Sequence, residues 1–179
     1  MPKCLEISRS RRIIISNNLL SFGDRFKISR KSLRVLYAAG ARRIWLLRWS
    51  EPVYAMTRIR GKKFRLHRAI MRELGYKIKN KHLDHKNGNP LDNRVTNLRI
   101  ATHKQNMANL KLSKRNTSGY KGVFLFKDGR KSPWMAHIGG PKTRVYLGFY
   151  GSAEEAAAAY NRAAKKRFGK FAKLNQIPK

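Results

Sequence analysis

The stretch His82-Leu83-Asp84-His85-Lys86-Asn87-Gly88-Asn89-Pro90, continued by Asn97-Leu98-Arg99-Ile100-Ala101-Thr102 and closing at Asn106, decides the fold of the middle of the chain. Asn87-Gly88 followed by Pro90 is turn chemistry, because asparagine and glycine accept positive φ and proline cannot continue a strand. Leu98–Ala101 predicts a short strand. Thr102 stands where a helix N-cap belongs, with Gln105 three residues on to complete a capping box. The segment therefore reads strand, long turn, strand, helix, the helix running through Asn106 to about Leu110.

Upstream, Val53–Arg60 and Lys62–Leu66 predict a hairpin turning at Arg60-Gly61. His67–Leu74 carries apolar residues at helical spacing, and Gly75 is placed as the stop. Residues 1–50 hold no period for long; short helices are expected at Arg30–Ala39 and Ala41–Trp49. Downstream, residues 111–118 are polar and basic and read as a linker. Three strands follow, Tyr120–Lys127, Trp134–Gly139 and Thr143–Phe149, separated by Asp128-Gly129 and Gly139-Gly140-Pro141. Ser152 with Glu155 forms a second capping box, opening an alanine-rich helix that ends at Phe168-Gly169. Ala153, Ala157, Tyr160, Ala164 and Phe168 share one face of it. Small side chains there let a helix lie close to a sheet. The fold class is α+β: a two-strand-and-helix unit, then a three-stranded antiparallel sheet packed on one helix. The expected divisions are a basic N-terminal region at 1–50, a domain at 51–110, the linker at 111–118 and a second domain at 119–175.

The chain has 179 residues and 42 lysines and arginines against 9 acidic residues, a formal net charge of +33. So basic a chain repels itself unless a polyanion neutralises it, and nucleic acid is the usual partner. The excess is spread along the whole length, so several parts are expected to meet phosphate. Composition alone would also suit a ribosomal or packaging protein. One cysteine, Cys4, excludes an internal disulfide and any multi-cysteine zinc site. Apolar runs such as Ile44-Trp45-Leu46-Leu47 are far too short to span a bilayer. A cytoplasmic protein with no membrane partner is expected.

Asp84-His85, Asn97 twelve residues after the histidine, and Asn106 twenty-one after it, in that element order, resemble the HNH nucleases. In that family a ββα unit surrounds one divalent ion, magnesium first and manganese as the alternative. The resemblance implies His85 as the general base, a role its near-neutral ordinary pKa suits. It implies Asp84 and Asn106 as metal ligands, and hard cations prefer such oxygen donors. It implies Asn97, the middle asparagine, as a catalytic-motif residue that holds the histidine strand across the loop rather than touching metal. Against this stands the abundance of asparagine, seven between His82 and Asn116, since Asn and Asp favour turns for local reasons. His82 is read as structural or a phosphate contact, His103 as exposed, and His67 as packing.

Residues 119–175 resemble the plant ethylene-response-factor (Apetala-two type) DNA-binding domain. The matching phrases are Gly119-Tyr120-Lys121-Gly122-Val123, Trp134-Met135-Ala136-His137-Ile138, Tyr146-Leu147-Gly148-Phe149, Ala153-Glu154-Glu155-Ala156-Ala157 through Tyr160, and Ala172-Lys173-Leu174-Asn175. The resemblance implies a sheet that enters the major groove of DNA and a helix that braces it. Strand alternation puts Val145, Leu147 and Phe149 on one face and Arg144, Tyr146 and Gly148 on the other. The expected DNA contacts are Lys121, Lys127, Arg130, Lys131, His137, Lys142, Arg144 and Tyr146. Phe124 and Phe126 stand where the plant pattern has arginine, so the plant target sequence does not carry over.

The two resemblances together imply a metal-dependent endonuclease of the phage or homing type acting on double-stranded DNA, as a monomer or weak dimer needing no protein partner. The alternative is a DNA-binding transcriptional regulator that does not cut.

Overall fold

A computed structural model describes residues 14–16, 19–21, 27–41, 43–47, 52–113, 115–140 and 143–178. Contacts divide the chain into two units, Met1–Thr102 and His103–Lys179. Each unit mixes helix with small antiparallel sheets.

In the first unit, β1 (Ile14–Ser16), β2 (Leu19–Ser21) and β3 (Lys27–Ser29) form a three-stranded sheet in sequence order. Helix α1 (Arg30–Ala38) starts at Ser29, whose hydroxyl accepts the Ser32 N–H at 3.2 Å. It ends at Gly40, φ +93°, with Gly40 N–H on the Tyr37 carbonyl and Ala41 N–H on the Leu36 carbonyl. That is a Schellman stop, and it needs the left-handed backbone glycine provides. The helix expected at Ala41–Trp49 is absent: Ile44–Leu47 is a strand, β4, paired with β5 (Tyr54–Ile59), while Arg42, Arg48 and Trp49 lie outside the described residues. A four-residue apolar run carries no period that separates helix from strand; the partner strand decides.

The β5–β6 hairpin, with β6 at Lys62–Arg65, turns at Arg60-Gly61 as expected. Helix α2 (Leu66–Glu73) follows and stops before Gly75. Ile28, Leu36, Ala41, Ile44, Ala55, Ile59, Leu66, Ala69 and Ile70 make one core. Residues 27–47 therefore supply about half of that core. Each fully buried Leu or Ile here contributes roughly 1.5–3 kcal/mol. The ribbon β7 (His82–His85) and β8 (Leu98–Ala101) completes the unit.

The second unit begins with α3 (His103–Ala108), two residues shorter than expected. Strands β9 (Val123–Leu125), β10 (Trp134–Ile138) and β11 (Val145–Tyr150) form a sheet with β10 in the middle, and α4 (Ala153–Phe168) lies on it. Val123, Ala136, Ala156, Ala157 and Ala159 are the core between them. Ser152 accepts the Glu155 N–H at 3.2 Å, as the capping box requires, and Gly169 ends the helix. Gly122, φ +74°, lies so close to the Tyr160 ring and the His137 carbonyl that no Cβ fits. Alternation on β11 fails at one place. The register slips between Ala136 and His137, which pair with Gly148 and Tyr146, so Leu147 bulges. Phe149 thus shares the Tyr146 face rather than the Leu147 face, and meets the Phe126 ring edge-on at 5.6 Å. Among the described residues no helix is long and apolar enough to cross a membrane.

Candidate active site

The loop between β7 and β8 is closed by Asn97. Its Nδ2 donates to the Asp92 carbonyl at 2.8 Å and to Asn87 Oδ1 at 3.0 Å, and its Oδ1 accepts the Asn87 N–H at 3.1 Å. The Lys86 N–H donates to the Asn97 carbonyl at 2.8 Å. One buried amide therefore ties together the loop of residues 86–97 next to His85. Asp92 adds a second clamp: Arg94 donates to both its oxygens at 2.7 and 2.6 Å, and Asn87 Nδ2 donates at 2.9 Å. Burial pushes the Asp92 carboxyl up, but the Arg94 hydrogen bonds outweigh it and hold the pKa below the ordinary value. The same loop is stitched to β3, with the Lys27 N–H on the Leu91 carbonyl at 2.7 Å and the Asn93 N–H on the Lys27 carbonyl at 2.8 Å.

Asp84 and His85 are both buried at the end of β7. In the ribbon register Asp84 faces Arg99 and His85 faces Leu98, so the two side chains leave the ribbon on opposite sides. Arg99 Nε and Nη2 reach Asp84 Oδ2 at 2.7 and 2.6 Å. The His85 ring meets the His67 ring of α2 edge-on, 5.0 Å between centroids, and His67 in turn lies 5.7 Å from Tyr54. Burial lowers the His85 pKa, against the raising effects of the Asn93 side chain and the Asp84 and Asp92 carboxylates. Near neutrality its imidazole is thus uncharged, the form a proton acceptor needs. Asn106 stands half-buried on α3, in the second unit.

Neither Arg99 nor the His67–His85 contact was visible in the sequence. The cross-strand position of Arg99 follows from the register, which Asn97 fixes. His67 is 4% exposed, and burial first, then His85, holds its pKa down at about 3 against an ordinary 6.5. The unfolded chain takes up a proton at this residue below pH 6.5 and the folded chain does not, so stability falls as pH drops from 6.5 towards 3. Replacing His67 with phenylalanine should flatten that part of the curve, as read from denaturant midpoints between pH 4 and 7. An unchanged slope would assign the acid sensitivity to other groups.

The expected contacts of the second unit are placed unequally. Lys127, Lys131, Arg144 and Tyr146 are exposed, Tyr146 at 65%. Arg130 is paired with Asp128 and lies over the Phe149 and Phe126 rings at 4.3 and 5.0 Å. Lys121 turns inward, its Nζ donating to the Ala108 and Leu110 carbonyls at 2.7 and 2.9 Å, and burial lowers its pKa to about 8. His137 is 9% exposed beneath Phe124, whose ring stacks on it at 4.8 Å. Lys121 Nζ, then, faces the protein rather than an outer surface, and His137 Nδ1 is buried. Lys142 lies outside the described residues.

Residues 64–108 match the family model of an HNH endonuclease. Over 47 residues, 26% of this chain and 39% of the relative, the sequence is 47% identical to Protein 3.8 of Escherichia phage T7. Over 65 residues, 34% of this chain and 29% of the relative, it is 46% identical to Ethylene-responsive transcription factor 3 of Nicotiana tabacum. The chain spans less than half the length of either of these curated relatives. No solved structure matches it at a significant level. Residues 64–108 are thus similar to an HNH endonuclease domain.

Proposed function

We propose that the chain is a divalent-metal-dependent endonuclease of the phage or homing type, hydrolysing phosphodiester bonds in double-stranded DNA, with the second unit reading position. The observation that carries this reading is a buried Asp84-His85 pair at the end of a ribbon whose loop Asn97 clamps, inside the matched segment. His85 takes the proton from the attacking water, and its burial keeps it unprotonated for that task. Asp84 and Asn106 each carry an oxygen donor of the kind that the HNH resemblance assigns to metal binding. A carboxylate and an amide oxygen suit magnesium, which keeps several waters and needs few protein donors. Among the described residues no three His, Cys, Asp or Glu side chains converge. When bound, the ion would offset charge on the phosphate and the leaving oxygen. Asn97 positions the His85 strand. Arg99, already on one Asp84 oxygen, stands beside whatever phosphate that carboxylate approaches.

In the second unit, Lys127, Lys131 and Arg144 supply phosphate contacts and Tyr146 reaches the groove. Lys121 and His137 brace the face from within, and Arg130 is held flat over it by Asp128, Phe126 and Phe149. Phosphate contacts set register while groove contacts select sequence. The transcription-factor match favours a second reading, a regulator that binds and does not cut. Supercoiled plasmid with magnesium should be nicked or linearised, and excess chelator should stop it. Plasmid left supercoiled under conditions where the protein binds it would favour the regulator.

A further inference from the structure

The β4–β5–β6 sheet buries one face and leaves the other outside the site described above. Ile44, Ala55, Thr57 and Ile59 are 2% exposed or less and face the core. The register pairs Ile44 with Thr57, Trp45 with Met56 and Arg58 with Lys63. Alternation then sets Arg43 opposite Arg58, on the side away from the core. Arg43, immediately before β4, Arg58 on β5 and Lys63 on β6 form an exposed row across the sheet. At a strand spacing of about 4.8 Å the row is about 10 Å wide.

With Arg60, Trp45, Gly40 and Gly61 these residues line an open cleft of about 670 Å³, and none of its described lining residues is acidic. Among the described residues none of the four cations has an acidic partner. The described acids of this unit pair with other arginines: Glu73 with Arg72, Asp84 with Arg99 and Asp92 with Arg94. Like charges directly opposite on neighbouring strands oppose each other. An ordinary solvated surface intersperses both signs. Among the described residues this row has no counter-charge, and a row of cations is complementary to a polyanionic surface.

We propose that the outer face of β4–β5–β6 binds the sugar-phosphate backbone of duplex DNA. Arg43, Arg58 and Lys63 each neutralise a phosphate, and the half-buried Trp45 ring packs flat against a sugar. The choice of duplex DNA rests on the function proposed above; the polyanion itself rests on the charge geometry. Backbone contacts carry no sequence information. The face therefore adds affinity, and its loss leaves target preference unchanged.

The test measures binding by the full-length protein, with chelator present so that nothing is cut. R43Q/R58Q/K63Q is compared with R162Q/K165Q/K166Q, which removes the same charge from exposed positions on α4. Each phosphate contact contributes about −0.9 to the slope of log affinity against log salt, so the row variant should be shallower by about 3. Its affinity for duplex DNA of mixed sequence should drop more than tenfold at about 0.1 M salt. The helix variant should keep most of the slope. Equal slopes for the two triples would mean general charge attraction and overturn the proposal, and so would a loss confined to duplex RNA. Arg58→Gln alone, expected to lower the slope by about 1, guards against misfolding of the triple. Plasmid left intact with magnesium, together with the slope change, would sink the nuclease reading and keep this face.

Discussion

Replacing His85 with alanine should lower plasmid cleavage by roughly 10²–10⁴-fold, the usual contribution of a positioned general base, while duplex binding in chelator stays within about twofold. Binding survives because the cations that meet phosphate lie elsewhere, and His85 is 7% exposed. Alanine leaves a gap against the His67 ring, so His85→Gln is the companion variant: it keeps most of the volume but accepts no proton near neutrality. Both should lose cleavage, and glutamine should melt closer to the parent. The parent's pH profile gives a second reading. Burial lowers the imidazole pKa below 6.5, so activity should persist under pH 6.5 and fail only at lower pH. An acid limb at or above 6.5, or cleavage by His85→Gln at the parental rate, would take His85 out of this role.

Much of the fold was legible where local chemistry and periodicity agree. Arg60-Gly61 set the β5–β6 hairpin, Gly75 the end of α2, and Ser152 with Glu155 the start of α4. Illegible were the features decided by a distant partner. Ile44–Leu47 is a strand because β5 lies beside it, and residues 27–47 join the core through Ile28, Leu36 and Ile44, whose apolar spacing is too sparse to reveal a period. The Leu147 bulge reversed the expected side of Phe149, since a slip of one residue inverts every side chain beyond it. At the site, the sequence drew attention to Asp84, His85 and Asn97 through its resemblance to the HNH motif. It did not yield Arg99 or the His67 ring, because both meet the motif only after strand register and helix packing are set. Lys121 and His137 show the converse: a basic residue in a basic module reads as a contact until burial shows a polar atom turned inward.

Asn97→Ala should weaken both stability and cleavage, for reasons that can be separated. The amide is buried and makes three hydrogen bonds across the loop, two given by Nδ2 and one received by Oδ1. Deleting it strands the Asp92 carbonyl and the Asn87 N–H, and each unsatisfied buried group costs about 1–3 kcal/mol. A loss of about 2–4 kcal/mol in denaturant-derived stability is expected, with cleavage falling at least tenfold under conditions where the variant is still folded. Asn97→Asp separates the causes. It keeps the acceptor for the Asn87 N–H but sets a carboxylate oxygen against the Asp92 carbonyl and Asn87 Oδ1, where only a donor fits. Aspartate should therefore be no better than alanine for stability, and adding metal should not restore its cleavage. If Asn97 instead held the ion, aspartate would be the stronger ligand, and raising magnesium would rescue activity. Such a rescue would move Asn97 from clamping the loop to binding metal.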